Sequence, residues 1–150
     1  MLKKASAFSL LETLLAVFLM AMIVAVPFTI NSSLIFRIQA EAAQSQVGHA
    51  LRTAELLAEQ SKFDDSWGVY VQAQSITIFK GSNYAARDTA YDDIYAYDEK
   101  VSLSVTSGNS TVYFAKRTGI PSSNISVAIV ADGGGTKTVS FTTNGALTYN

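Results

Sequence analysis

The sequence predicts an α+β protein: a long amino-terminal α-helix, membrane-spanning in its first half and packed by its second half on a mainly antiparallel β domain. Three observations predict it. Residues 13 to 36 are 24 consecutive uncharged positions, dominated before Asn31 by Leu, Val, Ile, Met, Ala and Phe. Val47, Ala50, Leu51, Ala54, Leu57 and Ala58 then recur at three- and four-residue intervals, the period of a helix face. After Trp67, where eight of the nine glycines lie, short Val/Ile/Thr/aromatic runs alternate with turn residues, the pattern of strands.

The amino end reads Lys3-Lys4, Ala5-Ser6-Ala7, Phe8-Ser9-Leu10-Leu11-Glu12, and only then the apolar run. An ordinary secretory signal places its small-residue cleavage site after the apolar segment, whereas here the small residues precede it. Cleavage after Ala7 would leave the hydrophobic segment on the mature chain, beginning at Phe8. A helix of 24 residues spans roughly 36 Å, enough for a hydrocarbon core of about 30 Å. Lys3 and Lys4 bias the amino end toward the cytoplasm, so the chain after about Ile30 is expected outside.

Glu12 calls for an explanation, because a carboxylate in an apolar helix costs about 2.5 to 3.5 kcal/mol at mid-bilayer. It reads either as a solvated residue at the headgroup boundary or as the partner of a neighbouring subunit's free α-amino group at Phe8. Such a buried pair sets register more than it stabilises, since desolvation offsets much of the attraction while an unpaired charge is penalised. Pro27 cannot donate to the carbonyl of Ile23, so a kink is expected there.

Leu34 to Ser61 resumes helical character, with Arg52, Glu55 and Glu59 assigned to the solvated side of the stripe. Strands are expected near Trp67 to Gln72, Ser75 to Phe79, Val101 to Val105, Thr111 to Ala115, Ser126 to Val130, Thr138 to Phe141 and Ala146 to Tyr149. The strongest turns are Ser107-Gly108-Asn109, Asp132 to Gly135, and Asn144-Gly145, the last being the dipeptide preferred in type I′ hairpins. Gly81 to Lys100 reads as an irregular surface excursion. The expected division is therefore a leader at 1–7, a membrane or filament-core helix at 8–30, an amphipathic helix at 31–62 and a β-rich extracytoplasmic domain at 63–150.

Composition narrows the function classes. Lys62 to Asn150 carries seven basic and eight acidic residues, which gives no general pull on nucleic acid or anionic lipid. Removal of Lys3 and Lys4 with the leader takes the formal charge from -1 to -3, still not extreme. The chain has no cysteine, which excludes a disulfide scaffold and a thiolate metal site.

The order of basic residues, Ala7, Phe8 and Glu12 resembles the leader and cleavage region of type IV prepilin-like proteins. The match covers residues 3 to about 30 and departs from the family only in having Ala7 where Gly is usual. The resemblance implies a pilin-like fold, processing by a prepilin peptidase after Ala7, methylation of the new terminus at Phe8, and a register role for Glu12. It also implies contacts with other pilins or pseudopilins through the helix, with an inner-membrane assembly platform, and with membrane lipid before assembly. The implied setting is a single-pass inner-membrane precursor that enters a pilus or a type II secretion pseudopilus. Further along, Trp67-Gly68, Ile76-Thr77-Ile78-Phe79 and Val112-Tyr113-Phe114-Ala115 with Gly119 are similar to the H-type minor pseudopilins and FimT-like minor pilins. A structural subunit of this kind is non-catalytic and requires no bound cofactor.

Tyr84, Tyr91, Tyr95 and Tyr97, interleaved with Arg87, Asp88, Asp92, Asp93, Asp98 and Glu99, suit a protein contact, or equally a solvated loop with its tyrosines packed on the sheet. Asp92, Asp93, Asp98 and Glu99 offer the hard oxygen ligands of a calcium site without EF-hand spacing, and acidic runs are more often simply solvated. Lys116 and Arg117 after the aromatic Val112-Tyr113-Phe114 form a thin basis for a DNA-binding minor pilin of an uptake pilus, because phosphate affinity grows with the number of cationic contacts. His49, the only histidine, has no sequence-evident nucleophile or oriented acid beside it, which disfavours a membrane-anchored enzyme. Gly133 to Gly135 lacks the Lys-Ser/Thr of a phosphate loop and reads as a turn.

Overall fold

Helix α2 (Ser32–Glu59) is the element on which the strands assemble. The computed structural model describes residues 9–25, 32–132 and 135–150. By its internal contacts the chain divides into two units, Met1–Ser32 and Ser33–Asn150. In the first, α1 (Leu10–Ala25) is a helix of 16 residues. Ala7, Phe8 and the expected kink at Pro27 lie outside the described residues.

In the second unit α2 buries Ala40, Ala43, Val47, Ala50, Leu51, Ala54 and Ala58. Their spacing puts them on one face, and five of the seven are alanines, so the helix contributes mainly small side chains to the core. The expected solvated face needs one correction. Glu55 is only 7% exposed. Its carboxylate pairs with Arg52, whose guanidinium lies 5.6 Å from the Phe141 ring centroid. The arginine supplies the counter-charge that a near-buried carboxylate needs, and Arg52 spreads its own planar group on an aromatic face.

Two antiparallel four-stranded sheets cover the helix. The first has the order β3-β2-β1-β5 and the second β4-β6-β7-β8. Their strands are β1 (Trp67–Gln72), β2 (Ser75–Lys80), β3 (Asp93–Ala96), β4 (Val101–Ser107), β5 (Thr111–Phe114), β6 (Ile125–Ala131), β7 (Gly135–Phe141) and β8 (Leu147–Tyr149). Alternate residues point inward, as in Trp67, Val69 and Val71 of β1 and Ile125, Val127, Ile129 and Ala131 of β6, and they join the α2 stripe in one core. The β1–β2 turn stitches the sheets together, since Ala73 and Gln74 carbonyls accept from the amides of Leu103 (2.8 Å) and Tyr97 (2.9 Å).

The seven expected strands are present and β3 is an eighth, inside the segment expected to be irregular. It is four residues long at a sheet edge with one charged residue, so its pattern is too short to read. Before it, two single 3₁₀ turns are capped by Asn83 and Asp88, whose side chains accept from the amides of Ala85 and Ala90. The β7–β8 turn also differs from expectation. Gly145 has φ of 79° and donates to the Thr142 carbonyl, Thr142 donates to Ala146, and Asn144 does not have positive φ. This is a three-residue loop with Gly in the left-handed position; a type I′ turn would need positive φ at both central residues.

The outer face of the first sheet carries a second apolar layer. Phe79 is fully buried there, and its ring lies over Gly68 on the neighbouring strand. A Cβ at Gly68 would sit 2.4 Å from the ring, so the glycine makes room for it. Gly68→Ala is expected to destabilise the protein by about 1 to 3 kcal/mol through overpacking. Urea unfolding measures the loss, and Phe79→Leu in the same chain should recover part of it.

Candidate functional site

Two features could carry function: the apolar helix α1 with its single carboxylate, and the aromatic excursion between β2 and β4. In α1, Ser9 caps the helix by accepting from the Glu12 amide through its hydroxyl (3.2 Å), while its carbonyl accepts from the same amide at 2.9 Å. Ser9 and Glu12 thus have the Ser-x-x-Glu spacing of a capping box, and a carboxylate in the first turn is favoured by the helix dipole. Leu10, Leu11, Leu14, Leu15, Val17, Phe18 and Met20 are all exposed, so the helix is apolar around its circumference. Such a helix requires an apolar environment from other helices or from lipid. Among the described residues, no helix is long and apolar enough to cross a membrane.

The four tyrosines singled out in the sequence are all half-buried and do not form one exposed patch. Tyr84 stacks on Tyr70 (3.9 Å between centroids, 30°) and meets Phe79 edge-on at 5.3 Å. Arg87 lies 3.7 Å from its ring centroid. The Arg87 Nε donates to both Asp92 oxygens (3.0 and 2.8 Å) and its Nη1 donates to the Tyr84 carbonyl, which fastens the excursion to itself. Tyr91 packs on Phe63 at 4.6 Å, with the Lys80 ammonium 4.7 Å from its centroid. Tyr95 donates to Asp93 at 2.8 Å, and that hydrogen bond, followed by burial and the carboxylate's charge, raises the phenol pKa. Tyr97 packs against the core with its hydroxyl buried and unpartnered, and burial pushes its pKa up to about 12.

The aspartates of this segment are used locally, while Glu99 has no hydrogen bond or ion pair among the described residues. Asp92 pairs with Arg87, Asp93 accepts from Tyr95, and Asp98 accepts from the Lys100 amide. Among the described residues no three His, Cys, Asp or Glu side chains converge on a metal position. Lys116 and Arg117 are not presented together. Lys116 holds Asp64 at 2.6 Å and keeps its carboxyl below the usual range, whereas Arg117 is exposed in a left-handed conformation (φ 69°). His49 faces only Thr53, its Nδ1 lying 3.3 Å from that hydroxyl. Tyr70 and Phe63 carry no signal in the sequence, because single aromatics in strands and turns have no spacing pattern, whereas Tyr113 belongs to the aromatic run Val112-Tyr113-Phe114 before Lys116 and Arg117.

No protein-family model and no curated protein sequence matches the chain. Solved structures do. The minor pseudopilin EpsH of the type 2 secretion system of Vibrio cholerae superposes with a TM-score of 0.59 at 15% identity, over 75% of this chain and 96% of that one. The type IV minor pilin FimU of Pseudomonas aeruginosa PAO1 superposes in two crystal forms. The scores are 0.58 at 13% identity, over 73% of this chain and 91% of that one, and 0.60 at 14%, over 76% and 90%. The chain therefore has the α+β fold of type IV pilin-like proteins, as the prepilin-like amino end implied.

Two consequences of the aromatic segment can be measured. Because the raised Tyr97 pKa means that the folded state holds its proton more tightly than the unfolded chain, stability should fall as pH rises from 10 toward about 12. Tyr95 acts in the same direction. Urea unfolding at pH 9 and pH 11 should show a smaller loss in Tyr97→Phe, which at pH 7 should be neutral or more stable by up to about 1 kcal/mol, since it removes an unpaired buried hydroxyl. Arg87→Ala leaves the near-buried Asp92 without its partner and should cost about 2 to 3 kcal/mol. Limited proteolysis within residues 82–92 should accelerate in the same variant.

Proposed function

We propose that this chain is a non-catalytic assembly subunit, a minor pilin or pseudopilin, of a type IV pilus or a type II secretion pseudopilus. The observation that carries the reading is the small residue Ala7 placed before, not after, an apolar helix whose first charge is Glu12, in a chain whose domain has a pilin-like fold. On this reading the precursor spans the inner membrane once, with its amino end in the cytoplasm and its β domain outside. A prepilin peptidase cuts after Ala7, and Phe8 becomes the methylated amino terminus. The subunit then moves from lipid into a filament through an assembly platform. Removal from lipid is compensated by packing of the α1 surface against other pilin helices. Glu12, already favoured in the first turn, pairs with a neighbour's terminal amine and fixes how far each subunit slides in.

The test is the intact mass of the full chain co-expressed with a prepilin peptidase. The expected result is loss of residues 1 to 7 plus addition of one methyl group, both blocked by Ala7→Asp. Glu12→Ala should still be cleaved but should fail to co-purify with filament. A chain that stays unprocessed, or is cut after the apolar segment, would refute the proposal.

A further inference from the structure

We infer that an open groove on the outer face of the first sheet is a binding site for a neutral carbohydrate chain. The groove encloses about 720 Å³ between the turn that carries Tyr84, the face of β1 and β5, and the loops on either side of β5. Three tyrosines line it, Tyr70, Tyr84 and Tyr113, together with Asn83, Asn109 and Ser122. None of its lining residues is charged, in a chain where 15% of residues are.

One aromatic wall is fixed in advance, with both faces of Tyr84 covered, and the ring left free to meet a ligand is that of Tyr113. Tyr84 is held by Tyr70 on the sheet, by the edge of Phe79 and by the guanidinium of Arg87. Tyr113 is anchored through its backbone, for its carbonyl accepts from the Ser122 amide (2.8 Å) and its amide donates to the Ser122 hydroxyl (3.2 Å). Its side chain has no such tie. Tyr113 is 38% exposed and makes no ring-to-ring contact among the described residues. The hydroxyls of Tyr70, Tyr84 and Tyr113 and the side-chain amide of Asn109 make no hydrogen bond among the described residues, so their donors and acceptors are available to a ligand.

This chemistry selects a ligand class. An anionic polymer would need cations in the groove, and Arg87, the nearest candidate, is committed to Asp92 and the Tyr84 carbonyl. A purely apolar ligand would strand the hydroxyl and amide groups. A sugar presents hydroxyls that both donate and accept, beside an apolar ring face that can lie on a tyrosine. The open groove suits an extended ligand lying along it rather than a molecule enclosed. A fixed wall also lowers the ordering cost of binding. The inference stands independently of the filament reading.

The experiment is saturation-transfer NMR on the full chain in lauryldimethylamine oxide micelles, a detergent without a sugar headgroup. Maltoheptaose and the fully N-acetylated chitohexaose are the probes; a heparin hexasaccharide and a neutral Gly/Ser/Asn hexapeptide are the controls. At least one neutral sugar should bind, with affinity reduced about tenfold or more by Tyr113→Ala and by less than about threefold by Tyr113→Phe. Asn109→Ala, on an exposed turn, should weaken binding without touching the core, and far-UV circular dichroism should show all three variants folded. The inference is overturned if neither neutral sugar binds at about 10 mM, if either control binds more tightly, or if Tyr113→Ala leaves sugar binding unchanged.

Discussion

The close packing of an alanine-rich helix face against two sheets at once is the constraint on which the β domain depends. Neither sheet buries its inner face without α2, and among the described residues Val47, Leu51 and their neighbouring alanines bury their apolar surface in this one core. Because the stripe is mostly Ala, strand residues rather than helix residues supply the bulk of the core: Phe114, Phe141, Ile125, Ile129 and Trp67. Small helix and large strand residues interdigitate to fill the space, which is how a domain of this size reaches a dense interior. A larger residue at Ala50 or Ala54 would push both sheets outward together. The exit from α2 is correspondingly constrained. Ser61, Phe63 and Asp64 all have positive φ, a strained path for non-glycine residues, held by Phe63 against Tyr91 and Trp67 and by the Trp67 indole donating to the Lys62 carbonyl at 3.0 Å.

The elements legible in the sequence are those whose signal repeats. About five turns of α2, from Ala40 to Ala58, repeat the same face, and β1, β2 and β6 alternate over six or seven residues, so the limits of these elements fall within a residue or two of the expected ones. What escaped was set by single partners brought from far along the chain. Glu55 belongs by spacing to either edge of the stripe, and the counter-charge of Arg52 makes its burial tolerable. Asn144-Gly145 is a hairpin signal whose type depends on how Thr142 and Ala146 pair, which two residues alone cannot specify. Strand β3 exists because β2 offers an edge for Asp93 to Ala96, although its own residues carry little strand pattern. The tyrosines were visible as a cluster, but spacing alone could not divide Tyr84, on the outer face, from Tyr91, Tyr95 and Tyr97 against the core.

The outer face of the first sheet shows how the local choices depend on one another. Gly68 leaves room for Phe79, Phe79 supports Tyr84, Tyr84 is covered by Arg87, and Arg87 is fixed by Asp92. Each link is weak alone, since an aromatic pair contributes about 0.5 to 1.5 kcal/mol beyond its buried area. In series they hold a surface excursion of some twenty residues in one conformation, against the tendency of such segments toward mobility. A segment serving only to connect β2 to β4 would not need Asp92 nearly buried beneath an arginine, because a solvated loop leaves its charges in water at little cost. The Arg87–Asp92 pair, with one Nε–H shared between both carboxylate oxygens, therefore secures the shape of this face, and it lies behind the tyrosine wall rather than on the surface. That arrangement keeps charge out of the groove while the groove stays rigid, so recognition there must come from hydroxyl, amide and ring surfaces.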